Sequence, residues 1–595
     1  MKLTDFVAQY LVVCGVRHAF VLQGGAALHL IDSIDKNNSI KSVAMQHEQA
    51  CAMAADGYAR ASNGLGCTIV TSGPGATNLL TGIACSYFDS IPTIHITGNV
   101  ASFRQSDNLG VRQYGFQETN IVKMAKPICK YAVRIASAEA ILIELPKAIG
   151  IALSGRKGPV LIDIPDDFQR VELDDDLARQ SLLSSHLDFK LQNPPLSIEK
   201  LNLLFRDFFS ASRPIVILGA GIVSEKSKIM AKEFCLKNQL PYLITWPLKG
   251  ISSFDDELNL GTFGTHSFRG NNIILQNANY ILTVGCRLDS RATAKLDTFA
   301  RESKIAMVDI DFSEMDKFKH IGLNINYKIL ADSHDFFLHA LTLDDVDLRR
   351  DETEKLDWME YIKSIQDMFN RNPEYNLSDI NPYAAIVKLS SFLSSKTTIV
   401  ADTGTCLPLI FVYGREKEGQ KYLSSFNNTP MGYALPAAIG AALASSSREK
   451  IIVLAGDGGM QMNIQELATL SLLGLPLIVI VFNNAGHSMI KQTQDDWLDS
   501  NYIASSVENG LPKVAFHKVA SAYGVSSYQV KNETELVNAF DCVFNDPSPS
   551  LIELIVNPDF RYEPIIKYGS PLEYMSPEID REKIDNAMIV STCQK

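Results

Sequence analysis

Short apolar segments rich in β-branched residues alternate with helical patterns along most of the chain. Such alternation is typical of parallel β-sheets with helices packed on their faces. We therefore predict an α/β fold. The expected strands span residues 18–22, 66–73, 92–98, 158–165, 213–221, 239–245, 279–285, 304–311, 397–404, 450–459, 476–484 and 549–556.

The length of 595 residues exceeds what one hydrophobic core usually holds, which indicates several domains. Polar stretches at about residues 174–195, interpreted as a linker, and 344–355 interrupt the alternation. After residue 557 the chain is rich in Pro, Tyr and charge and has no clear strand. We expect three doubly wound parallel-sheet domains and a C-terminal tail, with bounds at residues 1–175, 190–345, 370–557 and 558–595.

The formal net charge is −12, from 55 Lys and Arg against 67 Asp and Glu, and no Lys/Arg-rich run is present. This argues against nucleic acid and against a membrane surface as partners. No apolar run approaches the roughly 18 residues of a transmembrane helix. The first residues predict an amphipathic helix rather than a signal peptide, because Asp5 interrupts them. Ten cysteines without a CxxC pair favour a cytoplasmic protein.

The stretch "IIVLAGDGGMQMN", residues 451–463, places a lone carboxylate, Asp457, directly after an apolar strand. Open α/β sheets bind ligands beyond the carboxyl ends of their strands, and glycines there leave N–H groups free to face phosphate oxygens. A carboxylate beside a phosphate favours a bridging divalent cation such as Mg²⁺. Asn484 ends the next strand after an interval typical of a βαβ unit, which predicts that it lies beside Asp457.

Each motif alone has a simpler interpretation, because Gly-Asp-Gly and Asn-Asn are most often turns. Their combination at two strand ends favours a metal-diphosphate site. The segment from Gly456 to Asn484 also resembles the motif of thiamine diphosphate enzymes that begins Gly-Asp-Gly and ends Asn-Asn. The resemblance implies that the first and third domains bind the pyrimidine and the diphosphate of the cofactor. It also implies that Asp457, Asn484 and the carbonyl of Gly486 bind Mg²⁺.

The stretch "QHEQACAMAADGYARAS", residues 46–62, resembles the pyrimidine-binding half of the same family. Glu48 matches the family glutamate, whose carboxyl group faces the aminopyrimidine ring and promotes deprotonation of the thiazolium carbon. Without the resemblance, Glu48 would be interpreted as a surface acid. Met431 matches the residue that keeps the cofactor bent, and the Thr429 carbonyl matches the acceptor of its amino group. Met431 by itself would be interpreted as a core residue.

The acetolactate synthase family is the closest resemblance, and it covers most of the chain through "TSGPGATN" (71–78), "GFQET" (115–119) and "MNIQELAT" (462–469). The resemblance implies catalytic positions at Glu48, Gln117 and Phe116. It further implies cofactor contacts at Gly25, Glu48, Ser72, Pro74, Asn78, Thr429, Met431, Gly456, Asp457, Gly458, Gly459, Asn484, Gly486, His487 and Met489.

The implied reaction is decarboxylation of pyruvate, a 2-keto acid donor, followed by transfer of the two-carbon unit to a carbonyl acceptor. Gln492-Thr493-Gln494 replaces the usual Gln-Trp-Gln, whose Trp shapes the acceptor pocket in the family. Without this aromatic side chain, the identity of the acceptor is undetermined. A second 2-keto acid and a keto-sugar nucleotide, as used by branched-sugar carboligases, are both candidates. A simple 2-keto acid decarboxylase is an alternative, whereas a scaffold protein is disfavoured because Glu48, Asp457 and Asn484 are all present.

FAD is a further candidate cofactor, because Arg156, His266, Arg287 and Asp309 match positions near the structural flavin of anabolic acetolactate synthases. The segment "GAG" at 219–221 lacks the third glycine of a Rossmann fingerprint, so NAD binding is not supported. The resemblance implies a homodimer or homotetramer, since the family builds each site from two subunits. The sequence does not reveal whether a regulatory subunit is required.

Overall fold

The computed structural model describes residues 1–107, 109–183, 195–343, 352–370, 379–445 and 449–593. These residues form three parallel sheets of six strands each, flanked by helices, together with a two-stranded antiparallel sheet in the C-terminal tail. The predicted α/β class with three parallel-sheet units is confirmed. Within the described ranges, no helix has both the length and the apolar character needed to cross a membrane.

The first sheet has the strand order β2-β1-β3-β4-β6-β5. Its strands are β1 (His18–Leu22), β2 (Lys41–Ala44), β3 (Gly66–Val70), β4 (Thr93–Asn99), β5 (Tyr131–Arg134) and β6 (Val160–Pro165). Its helices are α1 (Leu3–Val13), α2 (Leu28–Lys36), α3 (Glu48–Ser62), α4 (Pro74–Asn78), α5 (Leu80–Asp89), α6 (Ile121–Ala125), α7 (Ile141–Leu153) and α8 (Asp175–Leu183). The predicted N-terminal amphipathic helix is α1.

The central sheet has the order β12-β11-β10-β7-β8-β9. Its strands are β7 (Pro214–Leu218), β8 (Tyr242–Ile244), β9 (Asn259–Thr262), β10 (Tyr280–Val284), β11 (Lys304–Asp309) and β12 (Tyr327–Leu330). Its helices are α9 (Ile198–Phe209), α10 (Glu225–Lys237), α11 (Arg269–Asn277), α12 (Ser290–Thr293), α13 (Phe312–Asp316), α14 (Phe318–Ile321), α15 (Ser333–Thr342) and α16 (Glu352–Phe369).

The third sheet has the order β14-β13-β15-β16-β18-β17. Its strands are β13 (Thr398–Ala401), β14 (Lys421–Leu423), β15 (Ile451–Gly456), β16 (Leu477–Asn483), β17 (Ser526–Val530) and β18 (Ser550–Ile555). Its helices are α17 (Pro382–Phe392), α18 (Cys406–Pro408), α19 (Ala434–Ala444), α20 (Asp457–Met462), α21 (Glu466–Leu473), α22 (Ser488–Trp497), α23 (Phe516–Ala522) and α24 (Glu533–Asn545).

The first and third sheets share one strand order, in which the second strand lies outside the first and the sixth lies inside the fifth. In both, the order reverses between the first and third strands of the sheet. The central sheet instead reverses between β7 and β10, which is the order of dinucleotide-binding folds. Ligands of doubly wound sheets bind at such reversal points, beyond the carboxyl ends of the strands. The topology thus marks three places for ligands.

The sequence prediction missed both edge strands of each six-stranded sheet, whereas every strand that it predicted is present. The edge strands β2, β5 and β17 are mostly half-buried or exposed, while the interior strand β3 is buried throughout. Interior parallel strands are covered on both faces and become continuous apolar runs. Edge strands are exposed on one side and lose this signal.

Two predictions about irregular segments need correction. The expected linker at 174–195 begins with the helix α8, and its residues 184–194 lie outside the described residues. The tail, expected to lack strands, contains β19 (Ile565–Ile566) paired with β20 (Met575–Ser576), followed by α25 (Arg581–Ala587). The second polar stretch continues into α16 from Glu352, and its residues 344–351 are not described. The domain bounds themselves stay a prediction.

Candidate active site

Asp457 and Asn484 lie side by side at the carboxyl edge of the third sheet. The parallel register of β15 and β16 runs up to the pair Gly456 and Phe482, so both residues follow the last paired positions. Gly486 N–H donates to Asp457 Oδ2 at 2.9 Å, and Gly458 N–H donates to Asp457 Oδ1 at 2.7 Å. The predicted adjacency is therefore observed, next to the reversal point between β13 and β15.

The groups at this edge fit a magnesium ion and a diphosphate. Burial raises the pKa of Asp457, with the N–H groups of Gly486 and Gly458 acting in the opposite direction, and a nearby cation would favour the charged form. Asn484 is buried, and its Nδ2 has no hydrogen-bond partner among the described residues. In the same ranges no three His, Cys, Asp or Glu side chains gather.

Met431 lies on a turn that faces this edge. The φ angles of Thr429 and Gly432 are 45° and 89°, so the turn uses left-handed backbone on both sides of Met431. A Cβ on Gly458 would lie 2.6 Å from His487 Nε2 and 2.7 Å from Met431 Cε. The Met431 and His487 side chains thus lie against Gly458, beside the predicted diphosphate site.

Asp402, which the sequence analysis did not single out, holds this turn in place. It follows β13 and is 1% exposed. Its carboxylate accepts hydrogen bonds from the N–H groups of Thr403 at 2.8 Å, and of Gly432 and Ala434 at 3.1 Å. Burial raises the pKa of Asp402 to about 6. A signal was present, because Asp402 ends an apolar strand in "TTIVADTG" just as Asp457 does.

Glu48 begins α3 and is buried, so it is not the surface acid that its Ala-rich helix alone suggested. Its Oε2 accepts a hydrogen bond from Asn78 Nδ2 at 2.9 Å. A Cβ on Gly75 would lie 3.3 Å from Glu48 Oε1. The predicted residues Ser72 and Pro74 lie in the same loop after β3, at the reversal point of the first sheet.

Phe116 and Gln117 extend from a loop beside this cluster. Gln117 has a left-handed φ of 62°, and a Cβ on Gly73 would lie 2.9 Å from Gln117 Cβ. The Phe116 side chain is 86% exposed. The loop therefore brings Gln117 against the Ser72–Gly75 turn and leaves Phe116 free to contact a substrate or a partner subunit.

Glu118, also not singled out from the sequence, organises the Phe116–Gln117 loop. Its carboxylate accepts hydrogen bonds from the N–H groups of Ser106 at 2.6 Å, Tyr114 at 2.9 Å and Gly115 at 3.2 Å. Burial opposes its ionisation, but these bonds outweigh burial and the pKa of Glu118 is lowered. No strand or helix period marks such a residue, because its partners lie within an irregular loop.

The other predicted cofactor residues lie at the same two sheet edges. Gly25 is exposed in the turn after β1. Gly456 and Gly459 flank the Asp457–Gly458 pair, with Gly459 buried against Asp402. Met489 is half-buried in the first turn of α22.

Within one chain, the Glu48 cluster and the Asp457 edge are kept apart by two packed helices. Gly57 on α3 packs against Ala437 on α19, and Gly440 packs against Ala54, so the helices run antiparallel. The hydroxyl of Tyr433, just before α19, donates to Asp56. Glu48 lies eight residues before Asp56, or about 12 Å along the axis. Glu48 thus points away from the Met431 end of α19.

The four residues predicted near a flavin converge on one cavity of about 1390 Å³. Arg156, His266, Arg287 and Asp309 all line it. Its volume exceeds the roughly 300–1,000 Å³ typical of small-molecule pockets. The cavity lies at the reversal point between β7 and β10, and its walls include residues that precede β4 and β6 in the first domain and residues around β14 in the third. The position and size fit a dinucleotide.

The polar groups of this cavity include ion pairs and a buried imidazole. Arg156 donates to Asp311 at 3.0 Å and to Glu314 at 2.7 Å. Burial raises the pKa of Asp309 to about 6 and lowers that of His266 to about 4, so the imidazole is neutral. His266 Nε2 is buried and has no hydrogen-bond partner in the described part of the chain. A polar ligand group would satisfy it.

Comparisons with known proteins agree with this geometry. Models of thiamine pyrophosphate enzymes match at residues 1–124 (N-terminal TPP binding domain), 205–340 (central domain) and 402–554 (C-terminal TPP binding domain). The acetolactate synthase large subunit of Lactococcus lactis is 31% identical over 98% of each chain. The chain belongs to the thiamine pyrophosphate enzymes.

Further relatives of this thiamine pyrophosphate enzyme carry related names. The large subunit of acetolactate synthase isozyme 1 from Escherichia coli is 29% identical over 95% of this chain and 96% of its own. The probable acetolactate synthase large subunit of Methanococcus aeolicus is 31% identical over 91% and 89%. The protein is therefore a thiamine diphosphate-dependent enzyme that forms C–C bonds and is close to acetolactate synthase.

Proposed function

We propose that this enzyme uses Mg²⁺ and thiamine diphosphate to decarboxylate pyruvate and to transfer the two-carbon unit to a carbonyl acceptor. The observation that carries the proposal is the pair Asp457 and Asn484 at the ends of β15 and β16. One carboxylate and one amide at a reversal point form a donor set suited to Mg²⁺ bound to a diphosphate. The names of the relatives support pyruvate as the donor.

Each residue has a distinct task in this proposal. When bound, thiamine diphosphate supplies the nucleophilic carbon and the electron sink for the loss of CO2. Asp457, Asn484 and the Gly486 carbonyl would hold Mg²⁺. Glu48 would hold a proton at its carboxyl group, toward the pyrimidine ring. Met431 would support the cofactor and exclude water beneath it.

The antiparallel packing of α3 and α19 supports a homodimer, or a tetramer built from such dimers. Because Glu48 and Met431 lie toward opposite ends of this helix pair, one chain does not offer both to the same cofactor. A second copy related by two-fold symmetry would place its Glu48 opposite the first copy's Asp457. Each dimer would then hold two equivalent sites.

The acceptor is either a second 2-keto acid, as the relatives' names suggest, or a bulkier keto-sugar nucleotide. The observation that favours the bulkier acceptor is Thr493. Its short side chain lies on α22, and its hydroxyl donates to the Met489 carbonyl at 3.1 Å, so no large ring fills this position. A simple decarboxylase would share every residue named here but would release an aldehyde.

FAD is proposed for the central cavity. The support is its place at the reversal point between β7 and β10, its size, and the unpaired Nε2 of His266 within the described residues. Addition of FAD to purified protein should give one bound flavin per chain with an altered visible spectrum. Absence of binding by both FAD and ADP at millimolar concentration would remove the assignment.

The proposed reaction is tested by incubating the protein with pyruvate, ThDP and Mg²⁺ and measuring the mass of the product. Acetolactate is expected if a second pyruvate is the acceptor. Slow pyruvate loss, accelerated by a keto-sugar nucleotide whose mass rises by one two-carbon unit, would identify the sugar acceptor. Acetaldehyde alone would mean a decarboxylase, and no pyruvate loss under any condition would contradict the proposal.

A further inference from the structure

The turn that carries Asn484 and Gly486 needs support from outside itself. Ala485, between them, has a left-handed φ of 52°, which is unfavourable for a residue with a Cβ. Asn483 stabilises the turn, because its Oδ1 accepts a hydrogen bond from Ala485 N–H at 3.1 Å. The orientation of the proposed metal ligands therefore depends on how firmly the Asn483 side chain is held.

Asn483 is held by a buried carboxylate on the neighbouring strand. Its Nδ2 donates to Glu553 Oε1 at 2.6 Å and to the Val514 carbonyl at 3.1 Å. Glu553 lies on β18, which pairs directly with β16, and it is 0% exposed. A carboxylate in the middle of an interior strand is costly unless it is fully hydrogen-bonded. We therefore expect a role that explains why a carboxylate occupies this buried position.

Glu553 is satisfied by a complete set of donors. Besides Asn483, it accepts hydrogen bonds from Phe516 N–H at 3.2 Å and His517 N–H at 3.3 Å, and it pairs with His517 Nδ1. Burial opposes its ionisation, but the bonds from His517 and Asn483 outweigh burial, so the pKa of Glu553 lies below its ordinary value. The carboxylate thus ties β16, β18 and the start of α23 together.

We propose that Glu553 is a positioning residue for the metal-binding turn, acting through Asn483 to fix Asn484 and Gly486. This inference rests on the proposed Mg²⁺ site. Residues that orient metal ligands typically change metal affinity by about 10–100-fold when they are replaced. Glu553 takes no part in the chemistry, since its oxygens face Asn483, Phe516 and His517 rather than the site.

The test measures ThDP binding by calorimetry at a series of Mg²⁺ concentrations. Glu553→Gln keeps the shape but turns an amide NH2 toward groups that are themselves donors, so we expect Mg²⁺ affinity to fall by about 10–100-fold. Asn483→Ala removes the same link from the other end and should give a similar loss. The double variant should be no worse than the weaker-binding single variant, because both act on one connection.

Glu573→Gln is the matched control. Glu573 is also 0% exposed and is hydrogen-bonded to Gln276 at 2.7 Å, but it lies in the tail against the central domain. This variant should lower the melting temperature and leave Mg²⁺ affinity unchanged. If Glu553→Gln behaves the same way, or if Asn483→Ala binds Mg²⁺ like wild type, the positioning role is refuted. If the wild type binds ThDP equally with and without Mg²⁺, the proposed metal site itself fails.

Discussion

At the residue scale, two carboxylates with different surroundings have different roles in the proposed reaction. Asp457 is held by backbone N–H groups in a place where burial raises its pKa, so it gains most from a nearby cation. Glu48 is buried, and its carboxylate accepts a hydrogen bond from the side-chain amide of Asn78. In the proposed reaction, the first carboxylate binds the metal and the second serves proton transfer.

Glu48→Gln should reduce turnover by at least about 100-fold, the lower end of what general acid–base groups contribute. ThDP affinity should change little, because the diphosphate is held at the other sheet. Steady-state rates and ThDP calorimetry measure the two effects separately. Glu139→Gln, at an exposed position between β5 and α7 of the first domain, is a control that should match wild type. Normal turnover of the Glu48 variant would refute the proton-transfer role.

The sequence pattern predicted those site residues that directly follow apolar strands. Asp457 and Asn484 were predicted to be adjacent because each follows an apolar run, and the ends of parallel strands meet at one edge. Asp402 obeys the same rule and could have been found. Glu118 and Glu553 could not, since the donors they bind come from loop backbone and from distant segments. Such partners are fixed only by the folded chain.

At the element scale, α22 is the helix that we propose borders the acceptor. The tail runs along one side of this helix, where Gln492 donates to the Tyr562 carbonyl at 2.9 Å and Ser488 donates to the Phe560 carbonyl at 2.8 Å. Thr493 is not among these contacts and bonds only within the helix, to Met489. The helix is thus anchored by its other side chains while position 493 is free to vary in size.

Thr493→Trp should therefore fold normally and shift preference toward small acceptors. An added ring would occupy the space beside the helix and slow reaction with a keto-sugar nucleotide more than reaction with pyruvate. Competition between the two acceptors, read as a product ratio, measures the shift. Thr493→Ser is the matched control and should keep the wild-type ratio; an unchanged ratio with Trp would show that position 493 does not border the acceptor.

The buried Asp163 in the first sheet should make the free energy of unfolding depend on pH. On β6 it accepts from Thr97 at 2.7 Å and Asn99 at 2.6 Å on β4, and burial raises its pKa to about 7. Folding thus favours the protonated acid, so its stabilisation is complete below about pH 4 and is lost as pH rises toward 7. The slope should reach about 1.4 kcal/mol per pH unit.

Asp163→Asn removes this titration while keeping the shape. The melting temperature of the wild type, relative to the variant, should fall between pH 5 and pH 7 in calorimetry. Parallel curves for the two proteins across this range would contradict the raised pKa. The comparison between variants cancels the titration of every other group.

The strands show which elements the sequence pattern can predict and which it cannot. Every interior strand was found, because a strand such as β3 is buried along its whole length. Each edge strand was missed, because residues that are only half-buried, like all those of β5, do not form a continuous apolar run. The identical order of the first and third sheets was likewise invisible, since it depends on which edge each late strand joins.

At the scale of the whole molecule, the proposed ligand sites lie at the reversal points of the three sheets, and the antiparallel pair α3 and α19 lies between two of them within a chain. If each site is shared between subunits, a mixture of Glu48→Gln and Asp457→Ala chains can form a dimer with one intact site. Co-expression should then restore part of the activity that each variant lacks. Activity no greater than the sum of the two variants would mean that sites lie within single chains.

We propose that Mg²⁺ and ThDP together enable this chain to decarboxylate pyruvate. The decisive measurement is CO2 release from pyruvate with both cofactors, with each alone, and after removal of metal by a chelator. We expect release only when both are present, and its loss in Asp457→Ala. Release that is equally fast without ThDP or without Mg²⁺, or no release with both, would contradict it.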